Sequence, residues 1–164
     1  MLKSGFLLCA IAATSLTGSA QATVHLNPPD VNGTRTLQDQ TAAAAIRNYL
    51  QAWQGLGTAL EKNRTDMLDR DFVGTAKDKL ADTIRQQSAA GIRTEYQDEA
   101  HDIQIVFYSP EGLSLELTDN VQYDVQLIDH DKPVGTQKVR ARYIVVMTPG
   151  ETRWRVRVLQ AVTE

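Results

Sequence analysis

Residues 113–129, "LSLELTDNVQYDVQLID", decide how this chain is read. Leu113, Leu115, Leu117, Val121, Tyr123, Val125 and Leu127 all occupy odd positions. A period of two places such residues on one face of a β-strand, because successive side chains point to opposite sides. The phase continues across Thr118-Asp119-Asn120. Residues 113–128 therefore read either as one long bent strand or as two strands joined by a tight turn. The long strand is preferred, since Asp-Asn is a weaker hairpin signal than Asn-Gly.

The same period extends to both sides. In "HDIQIVFYS", Ile103, Ile105 and Phe107 share a face, and Pro110-Glu111-Gly112 turns the chain. "DHDKPVG" reads as a loop. "TQKVRARYIVVM" and "TRWRVRVLQAV" complete a meander around a Pro149-Gly150 turn.

From Thr36 to Gly91 the period is helical. Thr36 is placed to cap a helix with Asp39 in its first turn. Ala42, Ile46, Tyr49, Leu50, Trp53, Leu56 and Leu60 then recur at three- and four-residue steps. "TDMLDRDF" predicts a short second helix with Met67, Leu68 and Phe72 inward. "GTAKDKLADTIRQQSAAG" predicts a third, with Thr75 and Asp78 as a capping pair, Leu80 and Ile84 inward and Gly91 as its stop. The expected fold class is α+β. Three N-terminal helices cover the concave face of a strongly bent antiparallel sheet of about four strands.

Residues 1–22 read as a secretory signal. Lys3 precedes an apolar run from Phe6 to Leu16, and Ala20-Gln21-Ala22 fits a cleavage site after Ala22. The run is short for a membrane span, which needs about 20 apolar residues. A periplasmic or secreted protein with no span after cleavage is expected. The only cysteine, Cys9, leaves with the signal, so the exported domain relies on its core without disulfides. Residues 23–35 read as an extended leader and 36–164 as one domain.

An element order of helix, short helix, helix and long strands, opening on "AIRNYLQAWQGL" and ending on "RWRVRVLQAV", resembles the nuclear transport factor 2-like superfamily. That group includes ketosteroid isomerase-like proteins, in which helices close a bent sheet into a cone. The resemblance covers residues 36–162 and rests on element order and the Tyr49/Trp53 helix face. It implies a cone lined by Tyr49, Trp53, Tyr123, Tyr143 and Trp154. "LEKNRTDML" stands where the family has a sharper acidic turn, and the family's catalytic residues map onto no clear positions here.

The formal charge of −3, from 20 acidic and 17 basic residues, gives no long-range attraction to nucleic acid. One local basic feature remains. If Thr148 pairs with Glu151 across the turn, Lys138, Arg140, Arg142, Arg153, Arg155 and Arg157 share one face. That face reads as a solvated sheet surface, and as a candidate anion patch in the alternative. Trp154, Val156 and Val158 would then turn inward together.

Chemical motifs are absent from the sequence. There is no G-x-S-x-G elbow, P-loop or G-x-G-x-x-G. "HD" and "DHD" give poor chelates, so neither a metal nor another cofactor is expected. No carboxylate is assigned to a clearly inward strand position, and Asp98, Glu99 and Asp102 are placed near a mouth. The sequence thus favours a non-catalytic exported domain binding a small apolar ligand or a protein partner, and it allows a homodimer through the sheet. The alternatives are an isomerase or hydrolase using a pocket carboxylate and tyrosine, and an accessory domain of a cell-envelope complex.

Overall fold

The computed structural model describes residues 21–31 and 33–162. The apolar run assigned to the signal lies outside them. The elements are β1 (Thr23–Leu26), α1 (Asp39–Lys62), a 3-10 turn (Thr65–Leu68), α2 (Gly74–Ala89), β2 (Ile92–Tyr108), β3 (Leu115–Asp129), β4 (Lys132–Pro149) and β5 (Trp154–Val162).

Two helices and one 3-10 turn replace the three helices expected. "TDML" makes a single turn because Asp71 and Phe72 leave the helical path to join β5. Val156 N–H donates to the Asp71 carbonyl, and Val73 N–H donates to the Val156 carbonyl. Leu68 and Phe72 are nevertheless buried, as their pattern implied. Capping also differs from expectation. Gln38 and Val73 precede the two helices without side-chain capping bonds, and Thr75 Oγ1 donates to the Arg157 carbonyl.

The sheet has five strands in the order β1-β2-β3-β4-β5, not four. The extra strand comes from the presumed leader, where β1 runs parallel to β2 as Thr23↔Ala100 through Leu26↔Ile103. All other neighbours are antiparallel. β3 is one continuous strand.

Bulges bend these strands and change which residues face inward. One lies between Ile105 and Phe107, so Phe107 is 45% exposed and Tyr108 is buried in its place. The β4–β5 register also differs from the expected one, with Pro149 opposite Trp154 and Thr148 opposite Arg155. A bulge at Val146/Met147 then skips Arg157. Val156 is fully buried, and the next residue packed on the core is Leu159 rather than Val158.

α1 lays Ala45, Tyr49, Ala52, Trp53, Leu56 and Leu60 on the concave face, against Ile103, Ile105, Leu115, Leu117, Val121 and Val145. Small buried alanines at three- and seven-residue steps, Ala42, Ala45, Ala52 and Ala59, let the helix sit close to the sheet. Asn63 ends α1 in the left-handed conformation (φ 52°), and its side-chain amide donates to the Ile92 carbonyl at 2.9 Å. That bond ties the helix end to the start of β2.

Candidate functional site

The cone interior is organised around a carboxylate to which the sequence pattern assigns no role. Asp119, in the middle of β3, has no solvent exposure, and His101 on β2 is 3% exposed. Asp119 Oδ2 lies 2.7 Å from His101 Nδ1 and accepts a hydrogen bond from the Tyr49 hydroxyl at 2.8 Å. Its Oδ1 accepts the Asp102 backbone N–H at 3.1 Å. An ionised carboxylate only accepts, so His101 Nδ1 carries the proton. Three elements thus meet at one side chain: α1 through Tyr49, β2 through His101 and Asp102, and β3 itself.

Aromatic rings close over this centre. The Trp53 and His101 rings meet edge-on with centroids 5.5 Å apart, and Tyr143 and Tyr123 lie 5.3 and 5.8 Å from Trp53. The Tyr123 and Tyr143 hydroxyls are 3.2 Å apart. Trp53 Nε1 donates to Asp98 Oδ1 at 2.7 Å, and Asp98 Oδ2 stands 3.9 Å from His101 Nε2. The imidazole therefore lies between two carboxylates, one buried and one at the rim.

The electrostatics follow from that placement. Burial alone disfavours the charged imidazole, but hydrogen bonding and charge from Asp119 and Asp98 outweigh it, pushing the His101 pKa up to about 9. Desolvation is also the main cause that raises the Tyr49 and Tyr143 hydroxyls well above the usual phenol range, and the Asp119 charge reinforces it in both. At neutral pH the centre is an imidazolium–carboxylate pair capped by neutral phenols. In that state His101 has no free lone pair and cannot act as a general base.

Beside this centre, a cleft of about 300 Å³ opens between the C-terminal half of α1 and the start of β2. Trp53 and Tyr96 form its walls, and Glu61, Glu95 and Asp98 make its rim acidic. Tyr96 is pushed up to about 12, first by desolvation. Among the described residues no cluster of three or more His, Cys, Asp or Glu is placed to hold a metal ion.

Of the five residues expected to line the cone, Tyr49, Trp53, Tyr123 and Tyr143 come together around His101. Trp154 does not. It packs 6.5 Å from Tyr108 at the other end of the sheet, and its backbone N–H donates to Asn48 Oδ1. Of the three acids placed near a mouth, only Asp98 lines the cleft. Glu99 pairs with Lys138, and Asp102 accepts from Asn27 Nδ2 at 2.7 Å beside β1.

The six basic residues do not form one patch, because the register sets Arg142 opposite Val162 and Arg155 opposite Thr148. Those positions are six residues apart on β4, roughly 20 Å of strand. Lys138, Arg140 and Arg142 line the exposed β4 face. Arg153, just before β5, and Arg155 on it serve the loop after the 3-10 turn instead. Arg153 Nη1 meets the buried Asp71 at 2.7 Å, and Arg155 Nη2 donates to the Asp69 carbonyl at 2.7 Å. Arg157 is exposed beside Gly74.

Asp119 and His101 carry a signal in the sequence. Asp119 shares the odd phase of Leu115, Leu117, Val121 and Tyr123, and His101 shares that of Ile103 and Ile105. A charged residue in an apolar phase invites the turn reading, yet here it is a buried polar position with its partner on the adjacent strand.

No family model matches the chain, and no curated protein matches it in sequence. Solved structures do resemble it. The intermembrane space region of the chloroplast protein ARC6 is 12% identical, with a TM-score of 0.64 over 79% of this chain and 100% of that one. A putative scytalone dehydratase from Novosphingobium aromaticivorans is 14% identical, with a TM-score of 0.53 over 77% and 89%. Aln2 from a Streptomyces species is 8% identical, with a TM-score of 0.50 over 77% and 94%. At these identities the likeness is one of fold. The chain shares with these structures an α+β fold in which helices cover a bent sheet.

Proposed function

We propose that this chain is an exported, non-catalytic domain that binds a protein partner in the cell envelope, with its cone serving as a filled and polar-locked core. The observation that carries this reading is the closure around His101 and Asp119. Both oxygens of the Asp119 carboxylate are engaged within the fold, and the aromatic rings pack directly on the imidazole. A general base would need a free lone pair at neutral pH and contact with a reacting atom. His101 is protonated there, and Asp98 and Trp53 stand between it and the cleft.

The cleft also fits poorly with a small apolar ligand, since its rim is acidic. Export is supported by the signal-like N-terminus. No helix among the described residues is long and apolar enough to cross a membrane. The ARC6 region of the same fold is named for a compartment and not for a reaction.

One observation favours a second reading. The Tyr49–Asp119–His101 chain has the composition of an acid–base relay, as an isomerase or hydrolase would require. It would act only after Trp53 and Asp98 moved away from Nε2.

Cross-linking in the intact native envelope, with mass spectrometry of the products, tests the choice. The partner reading expects a mature chain beginning at Thr23 and a recurrent link to one protein, kept in His101→Gln. Turnover of a small molecule that disappears in His101→Gln would overturn it.

A further inference from the structure

β4 spans Lys132–Pro149, but β5 pairs only with Arg142–Pro149. Residues 132–141 are hydrogen-bonded to β3 on one side and have no strand partner on the other among the described residues. An open edge of this length is a ready template for a further strand.

We infer that this edge receives an extended segment of a partner protein in which apolar and acidic residues alternate, added antiparallel to β4 in line with β5. The inference rests on the partner-binding reading and names its surface. Three observations carry it. First, β5 shows that the edge accepts an antiparallel strand whose inward residues, Val156 and Leu159, join the core. A strand continuing that line meets the same concave face.

Second, the two faces of the open stretch differ in chemistry. Val139 lies opposite buried Tyr123, and Ala141 opposite buried Val121, so both turn toward the concave side. Lys138, Arg140 and Arg142 are exposed on the convex side. Successive residues of an added strand alternate between these faces, which selects an apolar residue and then an acidic one.

Third, the charges are available. Lys138 is engaged with Glu99, whereas Arg140 and Arg142 form no ion pair among the described residues. Edge charges of this kind normally deter pairing with another copy. The fully overlapped antiparallel pairing of two copies over 132–141 would lay side by side two stretches that each carry Lys132, Lys138 and Arg140 and no acid, and such a meeting of like charge is unfavourable. An acidic strand turns the same residues from a barrier into a grip.

Hydrogen exchange of the mature chain tests the inference, using a synthetic peptide that alternates valine and glutamate over the length of 132–141. A valine–lysine peptide is the control. The valine–glutamate peptide is expected to slow exchange in residues 132–141 and to bind about tenfold more weakly to Arg140→Glu/Arg142→Glu, as salt-dependent charge pairing requires. Both positions are exposed, so the thermal unfolding of that variant should match the parent, and serine at both positions replaces glutamate if it does not. Failure to slow exchange there, or equal binding of the valine–lysine peptide, would overturn the inference. So would protection of 132–141 that rises with protein concentration alone, which would assign the edge to a second copy. A cross-linked partner seated elsewhere would defeat the edge and leave the partner reading intact. Loss of turnover in His101→Gln would defeat the partner reading independently.

Discussion

Asp119 on β3 and Tyr49 on α1 are joined by a 2.8 Å hydrogen bond within the core, and the same carboxylate oxygen holds His101 on β2. The bond fixes the rotation of α1 over the sheet at the point where the aromatic residues converge. An apolar contact would tolerate sliding; a buried carboxylate with three donors does not.

Removing the carboxylate should therefore be costly. Asp119→Ala leaves the Tyr49 hydroxyl and a buried imidazolium without their shared partner. A loss of roughly 3–5 kcal/mol is expected from breaking a buried pair on one side. Chemical denaturation checks this, and a change below about 1 kcal/mol would show that the network contributes little.

The pH dependence of stability follows from the raised His101 pKa. The folded value of about 9 exceeds the unfolded value of 6.5. The charged imidazole thus stabilises the fold fully below pH 6.5, and that contribution is lost as pH rises through about 9. The Tyr49 and Tyr143 hydroxyls stay neutral throughout, since both are raised. The midpoint of unfolding should fall between pH 6.5 and 9 in the parent, and much less in His101→Gln.

The two tryptophans should behave differently. Trp53 is buried and bonded to Asp98, so Trp53→Ala should cost about 3–5 kcal/mol. Trp154 is only partly buried, and Trp154→Ala should cost about 1–3 kcal/mol. A soluble quencher should reach Trp154 and spare Trp53.

This difference marks how far the sequence can be read. The two-residue phase of β3 and the helical face of α1 announce the α+β cone and four of its five aromatic residues. Trp154 falls in the same lining only if β5 pairs with β4 four positions away from its actual register. The Pro149-Gly150 turn suggests a tight hairpin, whereas the loop runs over Gly150–Arg153. Bulges at Ile105/Phe107 and Val146/Met147 move Phe107 and Val158 off the face their phase assigns. A bulge adds one residue without any fixed sequence mark, so phase alone cannot locate it. Asp119 and His101 are in phase, but recognising them needs the register between two strands. β1 reads as leader because four residues ahead of a proline pair carry too short a pattern to show a period.

Arg153, just before β5, and Arg157 on it should separate by partner. Arg153 is 26% exposed and meets the buried Asp71, so Arg153→Gln should cost about 1–3 kcal/mol after allowance for solvent and for Arg70, which also pairs with Asp71. Arg157→Gln should change stability by less than about 0.5 kcal/mol, as for an exposed position without such a bond. Equal effects from the two would mean that the Asp71 pair does not anchor the loop.

The closed cone itself is tested most directly by titrating the histidine rings with NMR in the presence of a soluble paramagnetic agent. His101 should titrate near pH 9 and keep its relaxation rate, because its ring is enclosed by Trp53, Tyr49 and Asp119. The His25 and His130 rings, on exposed residues, should be broadened in the same sample. A His101 ring that is broadened with them, or that titrates below about 6.5, would contradict the account, since it would place an accessible and neutral base inside the cone.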